Sequence, residues 1–376
     1  MPEKTVHELI NQSFAPIDKK SWARAAALEI GGNNPDEALA WSQDGMVFQA
    51  YYDQKDVANL ANQNDFQLLP ATDSFSGPRS WKNLPSIVVI DEKLANKNAL
   101  TQLASGADGI LFDIRHCSPI NFFLLLDEID WPSCSISFLS NVSNPISKNV
   151  TQYIQQKKYD SALLTGSIYW DGPIEINNLI TLPLSDLKNF QSCGLLINSS
   201  TSLKEISESL VKGVNRIEQL IESGIPLSIA IQQIAFSIPI SNNFFLEIAK
   251  LKALRKLWFQ IVCAYTDKTY SPSQLHLHSR SERWINATFQ PNANMLKSTT
   301  SALAAILGGC NSLTVYAEDD SKLMNRIALN LSNVLREESY ADKVADPTAG
   351  AYAIEKMVDE IEQAAWLDFQ QNVNRS

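Results

Sequence analysis

Ser86-Ile87-Val88-Val89-Ile90, Gly109-Ile110-Leu111-Phe112-Asp113 and Ser135-Ile136-Ser137-Phe138-Leu139 are short apolar runs separated by stretches long enough for a helix. Each is bounded by Gly, Pro, Asn or Ser, as buried parallel strands tend to be. Further runs of this kind stand at Ser161–Thr165, Gly194–Asn198, Ala235–Ile240, Leu275–Ser279 and Ser312–Tyr316. Eight candidate strands alternating with helical patterns over about 230 residues predict an α/β fold, a (β/α)8 TIM barrel. A doubly wound open sheet is the competitor, but no Gly-rich dinucleotide fingerprint follows the first strand.

The helical patterns are clear in places. Phe244, Ile248, Leu251, Trp258, Ile261 and Tyr265 recur at three- and four-residue steps and give one apolar stripe. Leu296, Leu303 and Leu307 do the same before Gly308-Gly309, and Ile354, Met357, Val358, Ile361 and Ala365 mark a closing amphipathic helix. Residues 1–80 do not fit the alternation. Phe14-Ala15-Pro16-Ile17, Trp22, Trp41, Tyr51 and Tyr52 make an aromatic-rich N-terminal extension. It cannot bury those rings alone, so it is expected to wrap the barrel or a partner, with residues 81–376 forming the barrel and its closing helices.

Composition sets the outer bounds. The chain of 376 residues is 45% hydrophobic, with a mean hydropathy of -0.13, enough to bury a large core. Its net charge of -10 argues against nucleic acid as a partner. No run approaches the roughly 20 apolar residues of a membrane crossing, and the start, Met1-Pro2-Glu3-Lys4-Thr5, is unlike a signal peptide, so the expected home is cytoplasmic. Cys117, Cys134, Cys193, Cys263 and Cys310 are scattered without a CxxC pair and read as reduced, mostly buried thiols.

Candidate chemistry centres on His276 and His278. Two apart on a strand, they share a face. If that face is the barrel interior, two imidazoles meet near the C-terminal mouth, where barrels place active sites. A metal site would need further ligands, for which Asp113 and His116 are the nearest candidates. Hydrogen-bonded structural histidines are the alternative. Asp346-Pro347 with Gly350 reads as a turn before the last helix, and Arg326 and Arg336-Glu337-Glu338 as surface ion pairs.

A longer pattern carries a resemblance. Leu275-His276-Leu277-His278-Ser279-Arg280, Asn294-Met295-Leu296-Lys297, Leu307-Gly308-Gly309-Cys310-Asn311-Ser312-Leu313-Thr314-Val315, Asn325-Arg326-Ile327-Ala328, Arg336-Glu337-Glu338-Ser339 and Val344-Ala345-Asp346-Pro347-Thr348-Ala349-Gly350-Ala351-Tyr352 follow in that order. The order and spacing resemble the methylmalonyl-CoA mutase family, in particular its small (β) subunit. The resemblance spans nearly the whole chain and is loose before residue 240.

The resemblance implies specific roles. Catalytic members carry His-Cys-Gln-Thr-Ser-Gly at this strand, and the histidine bonds the substrate thioester carbonyl. His278 matches it, while Arg280, Ser281, Glu282 and Arg283 replace the amide-and-hydroxyl set. In the family's Gly-Thr-Ile-Gln-Asn-Asp run a glutamine contacts substrate. Here Gly166-Ser167-Ile168-Tyr169-Trp170-Asp171 puts Tyr169 in its place. The family's Tyr-Ala-Gly-Phe run, whose tyrosine shields the radical, is Val89-Ile90-Asp91-Glu92-Lys93 here. By this resemblance His278 is a vestigial catalytic position, and Tyr169, His276 and Arg280 occupy the substrate pocket.

Catalytic members hold adenosylcobalamin in a further C-terminal domain through Asp-x-His-x-x-Gly, a context absent around His7, His116, His276 and His278. The chain stops at Ser376, so the resemblance implies a small subunit without a cobalamin-binding domain. It binds no cofactor or metal itself and forms a heterodimer with a catalytic large subunit that holds adenosylcobalamin and acyl-CoA. At complex level the implied reaction is radical isomerisation of (R)-methylmalonyl-CoA to succinyl-CoA, in propionate metabolism. Large side chains such as Tyr169, Trp170 and Phe138 would then plug the barrel axis. The alternative is a free-standing barrel enzyme or acyl-CoA-binding protein using His276 and His278.

Overall fold

The computed structural model describes residues 18–60, 77–117, 119–141, 146–173, 176–179, 181–266, 270–282, 293–319 and 321–373. Strand β1 comes in two pieces, Lys82–Asn83 and Ser86–Val88. It is followed by β2 (Gly109–Asp113), β3 (Ser135–Asn141), β4 (Gly166–Asp171), β5 (Phe190–Leu196), β6 (Ile234–Ile240), β7 (His276–Ser281) and β8 (Ser312–Thr314). All pair in parallel, each with the next in the chain. The nine segments of this sheet begin with one piece of β1 and end with the other. Lys82–Asn83 pairs with β8 and Ser86–Val88 with β2, so one interrupted strand closes an eight-stranded barrel. The ladder carries on between the pieces: Leu84 N–H donates to Leu313 O, and Leu111 N–H donates to Pro85 O. Pro85 has no N–H to give, which is why the strand is broken there.

The barrel is the one expected, with shifted edges. The fourth strand is Gly166–Asp171 and not Ser161–Thr165. Asp160 accepts a hydrogen bond from Ala162 N–H and winds Ser161–Leu163 into a 3-10 turn, which delays the strand. Only Thr165 joins early, through a bridge to Ser135. Gly166 then enters at φ 135, its Cα so close to Ile136 O that a Cβ would clash with that oxygen. The fifth strand begins four residues earlier than expected, at Phe190.

Helices follow the strands in turn: α1 (Glu92–Ala104), α2 (Phe122–Leu125), α3 (Ile146–Lys157), α4 (Ile176–Leu179), α5 (Ser202–Glu222), α6 (Phe244–Tyr265), α7 (Ala293–Gly308) and α8 (Lys322–Glu337). Then α9 (Tyr352–Val373) closes the chain. Side-chain caps start several of them, with Asp91 accepting from Leu94 N–H, Thr201 from Lys204 N–H and Ser321 from Met324 N–H. Helix α6 is not the one-striped helix expected. Glu247, Lys250, Arg255 and Lys256 are buried along with its apolar residues, because α9, α5 and α7 all pack on it.

Those buried charges are each matched. Lys250 Nζ bonds Glu205 at 2.6 Å, Glu247, and Pro239 O at 2.8 Å. Lys256 pairs with Glu362 of α9 at 2.6 Å. Arg255 gathers the loops below β7 and β8, donating to Pro272 O, Leu275 O, Gly309 O and Asn311 Oδ1. Arg336 is likewise no surface ion pair. It bonds Asp108 and Trp81 O and lies 5.0 Å over the Trp81 ring. Asp346 does more than start a turn, holding Lys252 at 2.8 Å and the Thr348 N–H at 3.1 Å. Of the free cysteines only Cys193 and Cys310 are buried, and Cys263 is exposed.

Before the barrel, the hairpin Trp41–Gln43 and Met46–Phe48 turns through Asp44 and Gly45, both at positive φ. Phe48 is buried in the outer core, and Asp44 accepts from the Ser202 N–H that opens α5. Trp22 and Tyr51 stack with centroids 4.9 Å apart. The Phe14-Ala15-Pro16-Ile17 motif lies outside the described residues. Among those described, no helix is long and apolar enough to cross a membrane.

Arg255 yields a stability test. Replacing it with Met removes a donor from three buried backbone carbonyls at once, of which Pro272 O keeps the Leu275 N–H, and each carbonyl left unpaired costs about 1–3 kcal/mol. Urea unfolding of Arg255→Met is expected to show a loss of about 3 kcal/mol or more. A loss below about 1 kcal/mol would mean that these carbonyls find water instead.

Candidate functional site

The inward side of β7 presents three residues at three depths. His276 opens the strand at the bottom of the barrel, His278 stands at mid-height and Arg280 lies at the C-terminal mouth. The two imidazoles therefore do not meet at the mouth, as the strand's expected limits suggested. His276 bonds Ser312 Oγ at 2.9 Å through Nε2, near the N-terminal end.

His278 is held at both ring nitrogens. Ser237 Oγ is 2.9 Å from Nδ1, and Thr314 Oγ1 is 2.9 Å from Nε2. The proton positions follow from the neighbours. Thr314 gives its proton to Leu84 O at 2.6 Å, so it must accept from His278 Nε2–H. Ser237 accepts from Arg280 Nε–H at 3.2 Å, which leaves its own proton for His278 Nδ1. Arg280 continues the chain to Asn198 Oδ1 at 2.7 Å and to Ile197 O. From Arg280 one directional series of hydrogen bonds thus runs through Ser237, His278 and Thr314 to Leu84 O, while a second arm of the same guanidinium points to the end of β5.

Across the barrel, Tyr169 of β4 stacks on His278 with ring centroids 5.0 Å apart and an interplanar angle of 23°. Contact between strands so far apart in the sheet is possible only through the interior. Tyr169 belongs to an inner cluster with Leu84, Leu111, Leu139, Leu196 and Ala235, one residue from each of β1 to β6. Leu84, Leu111, Leu139, Tyr169, Ala235 and His278 are each at most 1% exposed. Trp170 and Phe138 are not plugs of the axis. They alternate with inward residues and so lie behind the sheet, Trp170 giving its indole N–H to Ser192 O and Phe138 packing on Phe112, Phe122 and Trp131.

The mouth carries a second polar strap. Arg115 forks onto Asp113 at 2.7 and 2.9 Å and reaches Asp171 at 2.8 Å, while Asn141 donates to Arg115 O at 2.8 Å. This ties the ends of β2, β3 and β4 as Arg280 ties those of β5, β6 and β7. The Asp113 hydrogen bonds raise the Arg115 pKa above its usual value. Asp113 therefore serves an arginine, while His116 sits on an exposed turn.

Burial governs the titrating groups inside. It pushes His276 down to about 4, with Arg255 adding a smaller effect. His278 is driven well below the ordinary histidine range, by burial first and then by Arg280 and His276. Burial lifts the Tyr169 phenol, and the Ser167 and Ser312 hydroxyls beside it oppose that shift. His278, neutral and with both nitrogens engaged, is a hydrogen-bonding part of the core, and half-buried His276 is held through Nε2.

Ser237, Ser312, Thr314, Asp113, Arg115 and Asp171 were not singled out from the sequence as members of this network. The signal was present as alternation: Ser237 follows Ala235 by two, Thr314 follows Ser312 by two, and each pair faces β7 in register.

Comparison with known proteins bears on this geometry. A family model described as methylmalonyl-CoA mutase matches residues 193–375. The chain is 26% identical to the methylmalonyl-CoA mutase small subunit of Porphyromonas gingivalis (strain ATCC BAA-308 / W83), over 96% of this chain and 64% of that protein. It is 30% identical to the methylmalonyl-CoA mutase small subunit of Streptomyces virginiae, over 47% of this chain and 29% of that protein. The chain thus spans less than two thirds of the length of either relative. Among solved structures it is similar to the 7,8-dihydropteroate synthase of Vibrio fischeri ES114, with TM-score 0.41 and 12% identity, over 73% of this chain and 98% of that one. That likeness is too remote to carry an argument.

The buried imidazoles set a pH dependence. A histidine whose folded pKa is depressed stabilises the fold fully above its unfolded value of 6.5, and that stability is lost as pH falls toward the folded value. For His276, 6.5 to about 4 is worth about 3 kcal/mol. Glu205 and Glu362, raised to about 7 mainly by burial, act in the opposite sense over the neighbouring range. The difference between wild type and His276→Gln isolates the imidazole. Its unfolding free energy is expected to shift in favour of the variant by about 2–3 kcal/mol between pH 7 and pH 4. A pH-independent difference would place His276 in water.

Proposed function

The chain belongs to the methylmalonyl-CoA mutase family, and we propose that it acts as the small, non-catalytic subunit of a heterodimeric mutase. In this reading a catalytic large subunit in the cytoplasm binds adenosylcobalamin and acyl-CoA and interconverts (R)-methylmalonyl-CoA and succinyl-CoA. This chain supports that partner by burying an extensive interface with it.

The closed interior is the observation that favours a supporting role. An acyl-CoA arm reaching His278 along the axis would have to displace Tyr169 from the imidazole and pass the leucines of the inner cluster. It would also have to break the bonds from His278 to Ser237 and Thr314, leaving buried hydroxyls unpaired. A catalytic hydrogen-bond donor must instead be preorganised toward the place where substrate charge develops. Nothing on β7 is so arranged.

Among the described residues, no histidine fits the cobalt of adenosylcobalamin. His276 and His278 are engaged inside the barrel, and His116 lies outside the Asp-x-His-x-x-Gly context used by the family. Where catalytic members place a phenol near the first strand, Val89 is buried behind the sheet and Ile90 is exposed. The cofactor is accordingly assigned to the partner, and no step of the reaction is routed through this chain. His278 also offers little to a free-standing enzyme, since its hydrogen-bonding capacity is spent on Ser237 and Thr314.

Mixing the purified chain with a catalytic large subunit is expected to give a complex that co-elutes at micromolar concentration. The partner's melting temperature should rise with it. Independent elution and an unchanged melting temperature would end the small-subunit reading. Cobalamin-dependent turnover by the lone chain would end the non-catalytic one.

A further inference from the structure

Among the described residues, Arg79, Arg216, Lys250, Arg255 and Lys256 are the buried cations. Four of them have partners. Arg79 faces Asp346 at 3.4 Å, Lys250 bonds Glu205 at 2.6 Å and Lys256 bonds Glu362 at 2.6 Å. Arg255 donates to three backbone carbonyls and to Asn311. Arg216 of α5 is different. It is 6% exposed, has no hydrogen bond or ion pair with any described residue, and its Nη1 is sealed from solvent.

Burial lowers the Arg216 pKa, yet a guanidinium keeps its proton in a protein. An isolated charge in the interior is strongly destabilising unless an opposite charge or a set of acceptors meets it. The surroundings supply neither. One turn away on α5 stand Lys212, Gly213, Gln219 and Leu220, none of them acidic. Glu218 turns to the Tyr265 hydroxyl, and Glu208 pairs with Lys212. On β5 the neighbour that feels the Arg216 charge is Cys193, a member of the outer core. Burial pushes its thiol up, and Arg216 and the Ser192 hydroxyl offset that only in part, so the sulfur stays protonated at neutral pH. Ser192 Oγ gives its proton to Gln233 Oε1 at 2.7 Å.

We propose that Arg216 binds a monovalent inorganic anion of chloride's size, held against the guanidinium beside Cys193. One guanidinium calls for one negative charge, and phosphate or sulfate would need a second cation. A head so nearly covered by the chain also rules out a bulky organic acid. The proposal does not rest on the small-subunit reading. It concerns the lone chain on the outer side of the barrel sheet, so either can fail without the other.

Chlorine-35 NMR and thermal unfolding of the full chain test it, with sodium chloride exchanged for sodium gluconate at constant ionic strength. The wild type is expected to broaden the chloride line, and its melting temperature is expected to rise by roughly 2 °C from gluconate to chloride. Arg216→Met keeps the bulk of the stem and removes the charge, so it is expected to fold in gluconate and to lose most of both effects. Arg216→Gln, neutral and shorter, gives the same comparison should the thioether pack poorly. A wild type indifferent to chloride would overturn the assignment and place the counter-charge on Cys193. A chloride response unchanged in the folded variants would overturn it equally, placing the ion on the surface.

Discussion

The run of hydrogen bonds from Arg280 through Ser237, His278 and Thr314 to Leu84 O is the constraint on which this barrel's interior depends. It crosses the seam where the split strand β1 meets β8, and it fixes the proton on His278 at Nε2. With both nitrogens spent, the imidazole behaves as a flat, neutral packing unit. Tyr169 can then lie against it without meeting a charge. Were His278 protonated, Ser237 would face donors at both Nδ1 and Arg280 Nε, and its own proton would lose its acceptor.

Polar groups placed in a barrel axis have two outcomes open to them. They can be left unpaired and aimed at a ligand, which costs stability until the ligand arrives, or they can satisfy one another and become core. Here the second has happened almost throughout. The Arg115 strap over β2 to β4 and the Arg280 strap over β5 to β7 finish the mouth in the same way, each guanidinium bonded to groups of its own chain. The Tyr169 hydroxyl is the least firmly held of them, beside the Ser167 and Ser312 hydroxyls but out of good hydrogen-bond geometry.

Much of the fold was legible because a buried parallel strand leaves a compact apolar signature, and six of the eight candidates overlapped their strands closely. Ser161–Thr165 misled because Asp160 can cap a turn, a local bond that competes with the ladder just before Gly166. The family pattern drew attention to Tyr169, His278 and Arg280, which the fold brings near one another inside the barrel. Their depths were less legible. The strand runs on to Ser281 and not Ser279, which leaves His278 at mid-height and puts Arg280 at the mouth, and strand limits are what periodicity specifies least well. Phe138 and Trp170 were misplaced for a simpler reason: each neighbours an inward residue, and adjacent residues on a strand face opposite ways. Long-range partners such as Arg115 with Asp171, or Arg255 with Gly309, leave no mark at all in a single sequence.

The claim that His278 is sealed and neutral can be read directly from its ring. Nitrogen-15 NMR of the full chain, with histidine labelled, is expected to show His278 protonated at Nε2 and bare at Nδ1 from pH 8 down to pH 5, unmoved by millimolar succinyl-CoA. A proton at Nδ1, titration near pH 6.5, or a shift on adding the thioester would show an imidazole open to substrate, and the closed interior would have to be abandoned.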